Sequence, residues 1–340
     1  METLPHQYIE RETSRVCTEY LYGDKIINFV YSAVREHAPS LFNALISNRM
    51  SSLLGYVNYD SHVLTALTGA KRFIREAGIN LSECVDGNTS MKTLRDVFER
   101  KIAYWKYRPM PSEICSVVSP ADSRMIVGSF SESSDILLKG KFFDLNEILG
   151  GPAFQWADTF RDGDFAIFRL TPEKYHYNHL PVSGLVRDIY EIEGNYHPCN
   201  PCVPITVATP YSKNKRVVTI IDTDVAEGTG VGLVAMVEVV ALMIGEIVQC
   251  YSNSLYENPC DIYPGMFLVR GRPKSLYRPG SSTDVLIFEK GRVDFSPDIV
   301  RNMSHPDAQS RYSLKLGRSL IETEVRVREK IGRARVKATA

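Results

Sequence analysis

The chain has 340 residues, with 40 Lys+Arg against 40 Asp+Glu and therefore no formal net charge. That length allows one large domain or two ordinary ones and a core that needs no staples. Zero net charge argues against broad electrostatic capture of nucleic acid, which draws on a basic excess, and seven scattered cysteines make a poor disulfide framework.

The opening METLPHQYIERETSR is charged and lacks the apolar run of a secretory signal. The expectation is an intracellular protein, cytoplasmic or peripherally membrane-associated, with reduced thiols. Asp24 is placed to cap IINFVYSAVREH, whose Ile27, Val30, Tyr31 and Val34 recur at helical spacing. A second apolar-periodic stretch runs from Leu41 to Val57, and a third, LRDVFERKIAYWKY, from Leu94 to Tyr107. The third stops before Arg108-Pro109-Met110-Pro111. After the double proline, short β-branched runs alternate with Gly, Pro and Asp: ICSVVSP, RMIVGSF, FAIFRL, RVVTIID and DVLIFEKGRVDF. The expected fold class is α+β, with a helical N-terminal region over 1–108 and a β-rich domain over 109–340. Val231 to Val248 approaches the length of a membrane span, but Glu238 and Glu246 interrupt it, so two buried strands joined by a tight turn explain it better. The end of the chain, Ile321 to Ala340, finishes in the basic run IGRARVKATA and reads as a solvated terminus.

Four segments carry residues suited to chemistry. Tyr175-His176-Tyr177-Asn178-His179 follows an apolar run and precedes Pro181-Val182-Ser183-Gly184. Its histidines therefore sit at a strand end or on a loop, where reactive groups are often presented. On periodicity alone, surface or hydrogen-bonded histidines are the simpler reading, and no third ligand stands at zinc spacing. Cys199-Asn200-Pro201-Cys202 supplies only half of a tetrahedral metal shell and lacks a redox context. In Ser119-Pro120-Ala121-Asp122-Ser123 the aspartate would ordinarily just cap a turn. Gly280-Ser281-Ser282-Thr283, just before the strand Val285-Leu286-Ile287-Phe288, is by composition also a turn. Together they supply Asp122, His176 or His179, and Ser281 or Ser282 in that order. An aspartate can orient an imidazole, and the imidazole can take a serine proton.

At these residues the chain resembles the phosphatidylserine decarboxylase family. SPADS at 119–123 is similar to the family's Ser-Pro-x-Asp-Gly, and YHYNHLPVSG at 175–184 to its Tyr-His-x-x-His-x-Pro-x-x-Gly. VEVVALMIGEI at 237–247 and RGRPKSLYRPGSSTDVLIFEKGRV at 270–293 match two further segments in the same order. The resemblance implies a proenzyme that cuts its own chain and turns a serine into a covalent pyruvoyl cofactor. That group would engage a substrate amine and accept the electrons released with carbon dioxide. It implies Asp122 orienting His179, His179 as the base for cleavage, and His176 as a second active-site histidine. The family's converted serine precedes the Phe of the next strand by six residues, which here gives Ser282 from Phe288. The steric freedom of Gly before a cut keeps Ser281 as the alternative.

Ser123, Val240 and Ser275-Leu276-Tyr277 depart from the family pattern, which leaves the substrate more open than the reaction. The partners implied are phosphatidylserine or a soluble amino acid such as an aromatic one, with peripheral membrane contact and no nucleic acid. The large and small chains are expected to stay associated, and a homodimer is compatible. A non-catalytic binding protein of the same fold and a metal or redox protein built on His197, Cys199 and Cys202 are the competing classes. Retention of the Asp, His and Ser set counts against the first, and the sparse ligand set against the second.

Overall fold

Short apolar runs bounded by turn residues become strands throughout the computed structural model, which describes residues 4–21, 24–47, 50, 70–87, 91–131, 142–150, 155–201, 203–206, 209–241, 246–279, 282–315 and 319–335. In chain order the strands are β1 (Gln7–Glu10), β2 (Arg15–Thr18), β3 (Ser116–Val118), β4 (Ser123–Ser129), β5 (Asp164–Leu170), β6 (Tyr177–His179), β7 (Gly184–Ile192) and β8 (Arg216–Asp222). There follow β9 (Leu233–Val239), β10 (Ile247–Gln249), β11 (Phe267–Leu268), β12 (Pro273–Tyr277), β13 (Ser282–Phe288), β14 (Val293–Phe295), β15 (Glu322–Val325) and β16 (Lys330–Ala334). With the helices between them they give the α+β class expected from the sequence.

A 10-stranded sheet runs β11-β7-β8-β9-β13-β5-β4-β15-β1-β2. Its pairings are antiparallel except for β1 with β15. Two three-stranded sheets, β10-β12-β6 and β14-β16-β3, complete the strand set. β13 is central, hydrogen-bonded to β5 on one side and β9 on the other. Successive side chains of a strand face opposite ways. Val285 and Ile287 accordingly join Val237, Val239 and Ile167 in one core, while Leu286 and Phe288 join Met236 and Phe168 in the other. Burial on both faces explains why VLIF, 285–288, is a continuous apolar run with no polar alternation. Each such side chain contributes about 1.5–3 kcal/mol by leaving water, and Ile287→Ala is expected to cost about 2–5 kcal/mol through the cavity it leaves.

Several expectations are modified. The first 108 residues are not helical throughout: β1 and β2 form a hairpin whose first strand pairs with β15, burying Ile9. The helix from Asp24 passes into a π-helical turn at Val30–Val34 before Arg35–His37. The stretch read from Leu41 begins as helix Pro39–Leu45, and most of its remainder lies outside the described residues. The third stretch divides into Leu94–Phe98 and Tyr104–Tyr107. Arg100, between them, donates to the carbonyls of Val97 and Glu173, and Ile102 forms a β-bridge with Cys84. These tertiary bonds replace the helical ladder there.

Val231 to Val248 does yield strands, but β9 and β10 enter different sheets and do not pair as a hairpin. No helix among the described residues is long and apolar enough to cross a membrane. The C-terminal stretch, expected to be solvated, instead forms β15 and β16, with Ile331 buried and Lys330 and Arg333 pairing with β3. Ile331 and Gly332 are buried while Arg333 stays exposed, with a register shift between Lys330 and Gly332.

Candidate active site

The local folding of 170–182 presents the histidines. β5 ends at Leu170, a turn follows, and β6 begins at Tyr177 against β12. His179 ends β6, and its backbone N–H donates to Pro120 O at 2.7 Å, tying it to the turn that carries Asp122. Its ring is fully buried. Nδ1 lies 2.9 Å from Gly271 O, and since a carbonyl only accepts, Nδ1 carries the proton. Nε2 therefore keeps its electron pair, and the Tyr175 hydroxyl donates to it at 2.9 Å. Tyr175 Oη is also 2.6 Å from Tyr256 Oη. Tyr104 packs edge-on against the imidazole, with ring centres 4.6 Å apart. Burial pushes the His179 pKa down to about 3, so the ring is neutral at neutral pH.

His176 lies in the bend just before β6, also fully buried. Its Nδ1 is 2.8 Å from Lys174 O, its ring packs on Phe98 at 4.8 Å, and its carbonyl accepts the Tyr277 N–H at 3.1 Å. It thereby anchors the end of β12 that leads into β13.

Asp122 is buried and engaged elsewhere than with His179. Arg108 grips it with two parallel bonds, Nε to Oδ1 at 3.0 Å and Nη2 to Oδ2 at 2.8 Å, and the Val327 N–H donates to Oδ1 at 2.8 Å. Burial alone would raise the Asp122 carboxyl, but the Arg108 guanidinium outweighs it and holds the group below the usual carboxylate range. No hydrogen bond joins Asp122 to His179 among the described residues: the Arg108 fork takes both carboxylate oxygens and Gly271 O faces Nδ1. Asp122 still favours the charged form of His179 through space, against Arg328 and Arg108. A cavity of about 250 Å³ opens beside Asp122 and Tyr175, lined also by Arg100, Arg108, Lys174 and Arg326.

Ser282 begins β13 opposite Leu170 and is fully buried. Its Oγ has no hydrogen-bond partner among the described residues. Leaving a buried hydroxyl unpaired costs about 1–3 kcal/mol, and such a group calls for an explanation. Ala121, beside Asp122, shares an apolar cluster with Leu170, Val240 and Tyr277. The aspartate turn and the start of β13 thus converge. Ser281, Gly280 and Cys202 lie outside the described residues. Cys199 is buried, and its Sγ accepts from Thr283 Oγ1 at 3.0 Å.

Several groups around this site have no signature in sequence. Asp284 stands opposite Glu238 on β9, fully buried, and accepts from Tyr277 Oη at 2.8 Å. Burial and then the Glu238 charge push its carboxyl well up. Glu238 is in turn paired with Lys274 at 2.6 Å and bonded by Ser275 and Asn178. Arg108 had looked only like a boundary residue before Pro109. Tyr175 stood inside the recognised motif, four residues before His179, and that spacing was the one available signal.

The phosphatidylserine decarboxylase family model matches residues 94–322. The phosphatidylserine decarboxylase proenzyme of Fusobacterium nucleatum subsp. nucleatum is 27% identical over 327 residues, spanning 96% of this chain and 97% of that protein. That of Chlamydia trachomatis serovar L2 is 29% identical over 298 residues, 86% of this chain and 90% of the relative. That of Clostridium perfringens is 28% identical over 323 residues, 95% and 97% respectively.

Proposed function

We propose, because the chain belongs to the phosphatidylserine decarboxylase family, that it cuts itself before Ser282, carries a pyruvoyl group there, and converts phosphatidylserine to phosphatidylethanolamine. It is a decarboxylase by that membership. The observation that carries the self-cleavage reading is Ser282 Oγ, fully buried and unpartnered at the head of a central strand, opposite Leu170, which clusters with Ala121.

In this reading Ser282 Oγ attacks the carbonyl carbon of residue 281. The C–N bond breaks, the nitrogen takes the hydroxyl proton, and an ester replaces the amide. Removal of the Ser282 α-proton then breaks the ester C–O bond, leaving a carboxylate on residue 281 and a dehydroalanine at 282. Water converts the latter to a pyruvoyl group and ammonia. His179, neutral and with its Nε2 pair turned to Tyr175, acts as the base, the proton passing toward the Tyr175–His179 pair. Asp122 and Arg108 set the field around that ring. His176 holds Tyr277 and with it the approach to the cut. Ser282 fits as the source of the group: full burial opposite Leu170 keeps bulk water from a hydroxyl that must meet its own backbone first. When present at residue 282, the pyruvoyl group supplies an electron-accepting carbonyl for amine substrates.

Intact mass tests the reading. The expected products are a large chain ending at Ser281 and a small chain of 340 − 282 + 1 = 59 residues with a blocked N-terminus. Folded protein that stays as one chain would refute it. Carbon dioxide release from phosphatidylserine vesicles, against a panel of free amino acids, assigns the substrate.

A further inference from the structure

Gly271 separates the catalytic histidine from a group of arginines. Its carbonyl holds His179 Nδ1 at 2.9 Å. Its φ is +74°, and a Cβ there would meet Met110 Sδ and come within 3.1 Å of Arg328 Nε, so glycine is required and Arg328 packs directly on the backbone. Arg328 donates Nη1 to Tyr104 O at 2.9 Å and lies over the Tyr104 ring at 5.0 Å, while Tyr104 itself abuts His179. Arg328 makes no ion pair among the described residues, and its Nε is buried without a partner. The Tyr104 hydroxyl is likewise buried and unpartnered. Burial and the nearby charges of Arg272 and Arg270 depress the Arg328 pKa. Arg270 is a clamp, its guanidinium spent on the carbonyls of Pro111, Glu113 and Ser116. The Arg272 guanidinium has no partner among the described residues. Beside this cluster Trp105 and Val269 are exposed.

Unpaired buried donors and uncompensated cations ask for an acceptor-rich anion. We propose that Arg272, Arg328 and the Tyr104 hydroxyl bind the phosphodiester oxygens of the lipid headgroup, beside Gly271, with Trp105 and Val269 turned to the lipid. This rests on the phosphatidylserine reading above and explains how the site would prefer a lipid to a free amino acid, which has no phosphodiester.

The test uses the mature, self-cleaved wild type and the variants Arg328→Gln, Arg272→Gln and their double. Arg272→Gln should cleave as the wild type does, seen by intact mass, and the Arg328 variants are measured on chains that intact mass shows to be cut. KM for phosphatidylserine in mixed micelles should rise roughly tenfold or more per lost charged hydrogen bond, with kcat changed far less. Equilibrium binding of glycerophosphoethanolamine, which is not turned over, should weaken in parallel, while the weak binding of ethanolamine should be the same in all four proteins. KM and probe affinity within twofold of wild type in the double variant would overturn the proposal. So would inorganic phosphate binding as tightly as the phosphodiester, which would mark a free-phosphate site. If Arg328→Gln does not fold, Arg328→Lys and Arg272→Gln decide the matter. Failure of the wild type to cleave, or to release carbon dioxide from phosphatidylserine, would instead refute the function on which the proposal stands.

Discussion

Two adjacent serines compete for the cut, and substitution separates them. Ser282→Ala removes the buried hydroxyl at the head of β13 and should leave the chain whole; Ser281→Ala should still be cut, with the same small-chain mass. A cut in Ser282→Ala would move the site to Ser281. The neutral state of His179 makes a second prediction. Its pKa lies below the ordinary histidine value, at about 3, so the ring stays unprotonated as pH falls through the range where histidines normally titrate. The cleavage rate should therefore be flat from about pH 8 to about pH 5. A loss centred near pH 6.5, followed by time-resolved gel densitometry, would show that His179 titrates normally or is not the base. The residues proposed to bear the reaction were legible because they stand in short motifs: Asp122, His176, His179 and Ser282. Their partners were not. Arg108 and Gly271 hold Asp122 and His179 from 14 and 92 positions away, and a lone arginine or a backbone carbonyl leaves no pattern along the chain.

The strands of the large sheet were legible as β-branched runs, whereas the hairpin of β1 and β2 was not. Each of its strands has four residues, and β1 pairs with β15, more than three hundred residues away. What fastens it is charge. Arg169 on β5 donates to Glu19 beyond β2 and to Glu322 on β15, and His6 before β1 lies 2.7 Å from Glu322. All four side chains are almost fully enclosed. Burial opposes ionised Glu322, but Arg169 and His6 overcome it and hold its carboxyl well below the usual range. Removing one partner of such a network strands the other charges in the core, at a cost of about 3–5 kcal/mol. Arg169→Met is thus expected to lower stability by that order, read as a urea midpoint on the uncut Ser282→Ala background. Arg169 is also the register partner of Thr283, so the same change should slow self-cleavage in an otherwise unaltered chain. A loss of stability under about 1 kcal/mol would mean that the network is solvated or that the sheet closes without it.

At the scale of the whole molecule, the position of the cut decides what cutting does. Cleavage before Ser282 would put β13, β14, β15 and β16 on one chain and the other strands on the second. β13 would still be bonded along its length to β5 and β9, and β15 would remain between β4 and β1. β16 pairs with β3 of the large chain and with β14 of its own. Every side chain of β13 is buried, so separating the chains would expose both core faces and strip two ladders of their partners. At about 25 cal/mol per Å² of apolar surface, two such faces amount to far more than the translational freedom gained on release. The mature protein should therefore run as one species in size-exclusion chromatography and as two bands only after denaturation. The pair should not exchange with isotopically labelled small chain under native conditions over hours. Exchange within minutes would mean that β13 is held only at its edges, and that its central place in the sheet does not survive the cut.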